Sequence, residues 1–519
     1  MRRPTLTILL VWLAVLLSAG CGTNPVTGRT ELQLVSESQE IQIGQQNYAP
    51  ARQSQGGDYV VDPELTAYVQ EVGKKLAAVS DRPDLPYEFV VLNDSTPNAW
   101  AMPGGKIAFN RGLLYELNSE AELAAVLAHE IVHAAARHGA KGMERGLLLQ
   151  GAIMAVGIGT ADSRYSQLLV GGAQVAAQLT NQKYGRDAES ESDLYGMRYM
   201  KKAGYDPTAA VTLQETFVRL SEGRKTNWLE GLFASHPPSP ARVEANRKTL
   251  AEIGAGGEWG RERYALRTAK LRETRPAYQA YDEGVRALAK GEGARAADLA
   301  RQAIDIQPRE ALFHELLGDV ALANKRPEQA LEHYGRATER NPRYFKPLAQ
   351  SGIALFNLGR RGESADYLQR SIALLPTAPA YYLLGVMAED GGDLQNAMKN
   401  YQVAAGSNSQ IGKQAAQRFV RLDLPRNPAR YIRTAPRLSE DRTLYVVVQN
   451  AGPVPLAHVR VRLERTDGQR VLERSSAIDI ASLPPGKQAQ VLVARNVPIE
   501  DAAQLRQFKV VVERAQVAD

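Results

Sequence analysis

Three things are scarce in this chain of 519 residues. Cysteine is the first: Cys21 stands alone, so no intramolecular disulfide can form. A surplus of one charge is the second. Lys and Arg number 63 against 57 Asp and Glu, a formal +6, or +4 without Arg2 and Arg3. Spread over the whole chain this is too weak to argue for a nucleic-acid partner, and no basic block stands out. Long apolar runs are the third. Leu6 to Leu17, Gly146 to Gly159 and Leu168 to Leu179 each hold about 12 to 14 residues, short of the roughly 20 that span a bilayer. What is present is 44% apolar content, suited to globular folding, and length enough for three or more domains.

The first apolar run follows Arg2 and Arg3 and leads to Ser18-Ala19-Gly20, which predicts a cleaved secretory signal over residues 1–20. Cys21 then stands where bacterial lipoproteins keep the residue that becomes the lipidated N-terminus. The segment resembles a lipobox, with Ser18 where Leu is usual and Leu17 displaced by one. Gly22 carries no inner-membrane retention signal, which favours the outer membrane.

The stretch with the most chemistry is Ala128-His129-Glu130-Ile131-Val132-His133, inside a helix-like run from Ser119 to about Gly139. At 3.6 residues per turn His129 and His133 stand one turn apart, about 6 Å along the axis, and can reach one ion from the same face. Glu130 lies about 100° round from His129, placed to take a proton from a zinc-activated water rather than to bind the metal. Ala121 and Leu123 to Ala128 make an apolar approach typical of a buried helix. Ser119 and Glu122 form an S-x-x-E capping pattern at its start. A third ligand should come from elsewhere, and Glu189 is assigned to the metal. It lies four residues before Asp193 on a helix starting near Asp187, and Asp193 is placed to hold the outer N–H of a histidine ligand. Glu191 reads as part of a solvated acidic helix start. His138 falls about 140° round from His133 on a continuous helix and is left outside the metal shell. The two later apolar runs read as helices packed beside the site.

Before these motifs, Glu37 to Tyr48 and Asp62 to Val79 read as helices, the second with Asp62 as N-cap and Pro63 first. Glu88 to Leu92, Ala99 to Met102 and Lys106 to Phe109 read as strands around Pro103-Gly104-Gly105, and one strand edge could hold an extended peptide.

Taken in order, these residues resemble the gluzincin metallopeptidases, the family of HtpX and the CAAX prenyl proteases, closest to the BepA-like periplasmic and lipoprotein members with tetratricopeptide repeats. The likeness runs from about Asn24 to Arg247. It rests on Asn24-Pro25-Val26-Thr27-Gly28-Arg29, on Asn98 to Leu114, on His129-Glu130-x-x-His133 and on Glu189-x-x-x-Asp193. Gly185 and Ser192 depart from relatives that often show Ser and Ala. The resemblance implies one Zn2+ per chain on His129, His133 and Glu189, with Glu130 as catalytic base and Asp193 behind the ligands. It also implies that His236, in Ser235-His236-Pro237-Pro238, approaches the zinc, either capping its open position or helping to stabilise the oxyanion. Arg242 of the same segment carries a weaker signal.

After the breaker Gly254 to Gly260 the chain repeats. Gly284, Gly318 and Gly352 are 34 apart, Pro308, Pro342 and Pro376 are 34 apart, and Ala296 and Ala330 keep phase, which is the tetratricopeptide signature. Gly385 and Ala397 suggest a fourth unit. Stacked helix pairs form a groove for polypeptide, with Tyr278, Tyr281, Tyr334, Tyr381 and Tyr382 as candidates to line it. From about Thr434 the pattern turns to strands, Leu444 to Val448, His458 to Glu464, Val471 to Ile480, Gln490 to Ala494 and Phe508 to Glu513, which suits an immunoglobulin-like β-sandwich.

The expected architecture is therefore multidomain: signal 1–20, tether 21–36, an α+β zinc metallopeptidase domain 37–252, a linker 253–274, an all-α tetratricopeptide solenoid of about four repeats 275–430 and an all-β sandwich 431–519. The expected function is a zinc endopeptidase of the bacterial envelope, membrane-anchored through Cys21 and facing the periplasm. It would act on misfolded envelope proteins recruited through the repeats. An assembly adaptor with a latent zinc site is the alternative.

Overall fold

The computed structural model describes residues 21–155, 184–223, 236–467, 470–494 and 502–518. The signal segment 1–20, the apolar run 168–179 and part of the run 146–159 lie outside them. The chain divides into two compact units, one up to Pro376 and one from Thr377. Among the described residues no helix is long and apolar enough to cross a membrane.

The first unit is built around the helix Glu120–Ala135, whose side chains are buried nearly all round. Such a helix must be walled on every side. Pro63–Ala77 packs on it, capped by the Asp62 carboxylate accepting from Leu65 N, and so does Arg186–Lys202. A three-stranded sheet completes the wall: Glu88–Leu92 pairs parallel with Lys106–Asn110, which pairs antiparallel with the edge strand Ala99–Met102. That edge strand runs beside the Glu120–Ala135 helix. Gly104 and Gly105 join the antiparallel pair with φ of 76° and 82°, the left-handed values a tight hairpin needs, and a Cβ on Gly104 would meet the Ile41 backbone at 2.7 Å.

Two local expectations are corrected here. At the helix start the Ser119 hydroxyl accepts from Glu122 N at 3.1 Å, but the Glu122 carboxylate reaches back to Asn118 N at 2.6 Å instead of Ser119 N, so the capping box is shifted by one residue. At its other end the helix stops at Ala135, well short of Gly139. Arg137 takes a left-handed φ of 61°, and a separate helix, His138–Ala155, begins at once. The Arg137 guanidinium repays this strain by bonding Glu40 at 3.1 Å and the Val35 carbonyl.

The same apolar cluster continues from Val61, Leu113 and Leu127 through Tyr264 and Leu271 to Tyr278, Phe313 and Tyr344. Residues 261–273 are helical (Arg261–Arg267, Ala269–Glu273) and contribute buried side chains, with the Tyr264 hydroxyl donating to the Leu114 carbonyl at 2.6 Å. The repeats follow as helix pairs: Arg275–Ala289 with Gly293–Ile306, Ala311–Ala323 with Pro327–Arg340, and Phe345–Asn357 with Arg361–Leu374. The 34-residue glycines mark where each pair crosses. A Cβ on Gly318 would fall 2.4 Å from the Tyr334 ring, and one on Gly352 2.6 Å from Leu368. Tyr278 and Tyr334 are therefore interior packing residues rather than groove lining.

The second unit begins with the pair Ala378–Asp390 and Leu394–Ala405, where Gly385 meets Tyr401, followed by the helix Gln410–Asp423. Tyr381 and Tyr382 pack against the Ala397 and Tyr401 cluster. Two antiparallel sheets come next. One orders Gln488–Ala494, Leu444–Asn450 and Ile432–Leu438; the other orders Ile478–Leu483, Leu456–Asp467 and Phe508–Val517, with Arg470–Arg474 also on Leu456–Asp467. The expected strand Val471 to Ile480 is thus two strands, and Ile432–Leu438 joins those expected. Alternating valines, Val446 and Val448 in one sheet and Val459 and Val461 in the other, meet in one buried cluster.

Candidate metal centre

His129, His133, Glu189 and His236 come from three separate stretches, yet each offers a ligand atom within 4.8 Å of the others. The local sequence explains why. One helical turn separates the two imidazoles, and Arg186–Lys202 approaches closely enough that a Cβ on Gly196 would lie 3.3 Å from His129 N. That brings Glu189 and Asp193 beneath them.

The distances test whether zinc fits. His129 Nε2 lies 3.0 Å from His133 Nε2 and 3.3 Å from His236 Nδ1. The Glu189 carboxylate lies 3.5 Å from His129 Nε2, 3.5 Å from His133 Nε2 and 3.0 Å from His236 Nδ1. Ligands at about 2.0–2.1 Å from a tetrahedral zinc are roughly 3.3–3.4 Å from one another. The two imidazole separations and the two from Glu189 Oε1 (to His133 and His236) are close to tetrahedron edges, two of them a few tenths of an ångström short, while the contact to His129 is made by Glu189 Oε2. The donor set, imidazoles with one carboxylate, is also one zinc accepts.

Electrostatics point the same way. Burial opposes charge on His129, but hydrogen bonds to Asp193 and Glu189 outweigh it and its pKa is pushed up to about 10. Burial drives His133 well below its ordinary value. Burial alone would raise Glu189, yet the charge of His236 and hydrogen bonds from His129 and His133 hold it far below the carboxylate range. Buried carboxylates that draw protons onto an imidazole in this way are a site that a cation can neutralise.

Glu130 has one carboxylate oxygen 3.5 Å from His236 Nε2 and the other, Oε2, buried without a hydrogen-bond partner. Burial raises its pKa against the pull of His236 and His129, so a proton taken by this carboxylate is held. A cleft beside it is walled by Ala125, Val126, Leu213 and Phe217.

Asp193 accepts from His129 Nδ1 at 3.0 Å, which turns the Nε2 of that ring inward. The carboxylate is itself clamped by Arg242, whose Nε and Nη2 donate at 2.8 and 2.7 Å. Arg242 also stands 2.9 Å from Glu189, and burial is outweighed by these carboxylates in setting its raised pKa. The single residue that the sequence ranked lowest therefore ties the Pro240–Ile253 helix to the centre; its only sequence signal was the Ser-His-Pro-Pro segment around it. Two expectations are overturned. Glu191 is not a solvated acidic residue: it bonds His138 at 3.2 Å and pairs with Arg29 at 3.3 Å. The angle expected for His138 is the other: it stays outside the ligand group, but the break at Arg137 swings it back to 2.9 Å from His133 Nδ1.

A family model described as peptidase family M48 matches residues 63–250, and one described as tetratricopeptide repeat matches residues 281–344 and 350–427. Mitochondrial metalloendopeptidase OMA1 of Schizosaccharomyces pombe is 34% identical over 235 residues, covering 44% of this chain and 66% of that protein. Metalloprotease YcaL of Escherichia coli K12 is 32% identical over 197 residues, 36% of this chain and 74% of the relative. Beta-barrel assembly-enhancing protease of Escherichia coli K12 is 24% identical over 386 residues, 67% of this chain and 76% of the relative. The chain thus spans just under two thirds of the length of the OMA1 relative.

Proposed function

The chain belongs to peptidase family M48, and from that premise we propose that it is a zinc-dependent endopeptidase of the bacterial cell envelope. The observation that carries this reading is the convergence of His129, His133 and Glu189 with Glu130 beside them and one Glu130 oxygen unpartnered. When bound, zinc would polarise the scissile carbonyl and lower the pKa of water in its open position. His129 and His133 would hold it through Nε2, with Glu189 supplying the carboxylate. Glu130 Oε2 accepts the proton of the attacking water and returns it to the leaving amine. His236 Nδ1, 3.0 Å from Glu189 and 3.3 Å from His129, is placed to help hold the ion at rest and would give way to substrate. The edge strand Ala99–Met102 offers backbone groups on which an extended peptide can align.

The substrates are misassembled envelope proteins, a reading supported by the name of the beta-barrel assembly-enhancing relative. The repeats recruit them or a partner, the C-terminal sheets form an immunoglobulin-like sandwich, and Cys21 carries the lipid that anchors the protein at the periplasmic face of the outer membrane. Cleavage of an unfolded protein that is lost on adding a zinc chelator and regained on restoring zinc supports this function. Cleavage indifferent to the chelator would refute it. For the anchor, Cys21→Ala should shift the protein from the membrane to the soluble fraction; unchanged mass and location would rule lipidation out.

A further inference from the structure

The outer edge of His133 leads into a chain of side chains that the proposed mechanism does not use. His133 Nδ1 lies 2.9 Å from His138 Nδ1, and His138 Nε2 lies 3.2 Å from Glu191 Oε2. The other Glu191 oxygen meets Arg29 at 3.3 Å. His138 is 4% exposed, so water does not supply substitutes. The Tyr184 ring stacks on His133 with centroids 3.9 Å apart and a 27° tilt, which restricts the turning of that imidazole.

Hydrogen-bond logic fixes the protons along this chain. Glu191 as a carboxylate only accepts, so His138 carries its hydrogen on Nε2. A neutral imidazole with hydrogen on Nε2 is bare on Nδ1. The 2.9 Å contact then requires that His133 donate from Nδ1, leaving its Nε2 lone pair free and aimed at the three other ligand atoms. Asp193 does this for His129 directly; for His133 a second histidine stands between ligand and carboxylate.

We infer that His138 and Glu191 are positioning residues that set the tautomer and orientation of His133, with the N-terminal loop closing the far end of the relay through Arg29. The loop is held where it needs to be. Asn24 Nδ2 donates to the Ala136 carbonyl at 3.3 Å, Asn24 Oδ1 accepts from Val26 N and Thr27 N, and Lys141 pairs with Glu31 at 2.7 Å. Arg29 is largely exposed, so its ion pair is the weakest link, and His138 with Glu191 carry the effect. The left-handed Arg137 acquires a role from this, since a continuous helix would carry His138 away from His133.

This inference rests on the zinc reading, and the test separates the two. Zinc dissociation constants of the full chain are measured by competition with a chromophoric chelator. His138→Leu and Glu191→Ala, each of which removes the acceptor at its step, should weaken zinc binding roughly 10- to 100-fold. His138→Asn, whose side-chain oxygen can accept from His133 Nδ1, should recover to within a few-fold of the parent, a rescue that a packing role would not give. Melting of the metal-free proteins shows whether the fold is kept. If His138→Leu does not fold, Glu191→Ala carries the test from the outer end of the relay. Affinities within about twofold of the parent for the folded variants would overturn the inference. A parent chain that binds no zinc would overturn the metalloprotease reading itself, and the relay with it.

Discussion

His236 sits with Nδ1 3.0 Å from Glu189 and 3.3 Å from His129, closer to a ligand's place than to that of a donor waiting for an oxyanion. His236→Ala should therefore keep its zinc and cleave an unfolded protein several-fold faster than the parent, because the fourth corner is open from the start. A tenfold or greater loss of rate with zinc retained would make the residue an oxyanion stabiliser instead. Arg242 leads to a second prediction. Its bidentate clamp holds a buried Asp193 whose own pKa is lowered, against burial, by that guanidinium and by His129. Arg242→Met strands the carboxylate and should cost about 3–5 kcal/mol of stability in urea unfolding, with weaker zinc retention alongside. Chain-local geometry was enough to nominate His129, Glu130, His133, Glu189 and Asp193, since i, i+4 spacing on one helix is readable without knowing the fold. His138 and Glu191 were not readable, and Arg242 only weakly, because each reaches its partner through a tertiary approach or, for His138, through a helix break at Ala136-Arg137, where neither glycine nor proline stands.

At the scale of elements, the strongest periodic signals were the most legible. The 34-residue glycine phase marks helix crossings because the partner helix puts a large side chain there, Tyr334 against Gly318 and Leu368 against Gly352. Gly318→Ala should destabilise the protein by about 1–3 kcal/mol, as the Tyr334 ring is forced off its site. Gly335, in the interior of Pro327–Arg340 with nothing within 4 Å of a Cβ, is the control. Gly335→Ala should be neutral or stabilise by roughly 0.5–1 kcal/mol through helix propensity alone. Equal destabilisation by both would mean that the phase does not mark crossings. Strands in the C-terminal sheets were less legible: Val471 to Ile480 alternates well enough to read as one strand, yet it turns between Arg474 and Ile478, a change of partner that no period reports.

On the scale of the first unit, protease helices and the first repeats share one apolar cluster and one buried cation. Arg111 is 1% exposed; it stacks on Tyr278 of the first repeat at 3.5 Å and donates to Asn93 at 3.1 Å and Ser95 at 2.8 Å, in the loop that leads to the edge strand. Glu310 reinforces the junction by accepting from Asn93 and from the Tyr278 hydroxyl. A sequence reading that places a linker at 253–274 cannot see this, because the cation lies far upstream and its partners are spread along the chain. Arg111→Met should lower unfolding stability by about 3 kcal/mol or more and speed limited proteolysis near residues 93–98. A variant as stable as the parent would mean that the repeats hold their place without it.

In this mechanism one zinc ion and one carboxylate do the chemistry. Zinc stoichiometry by elemental analysis, read together with cleavage of an unfolded protein, tests it in a single comparison of the parent with Glu130→Gln. Both proteins should carry one zinc per chain, and only the parent should cleave, the variant being slower by roughly 100- to 10,000-fold. A parent without zinc, or a Glu130→Gln protein that cleaves as fast, would contradict it.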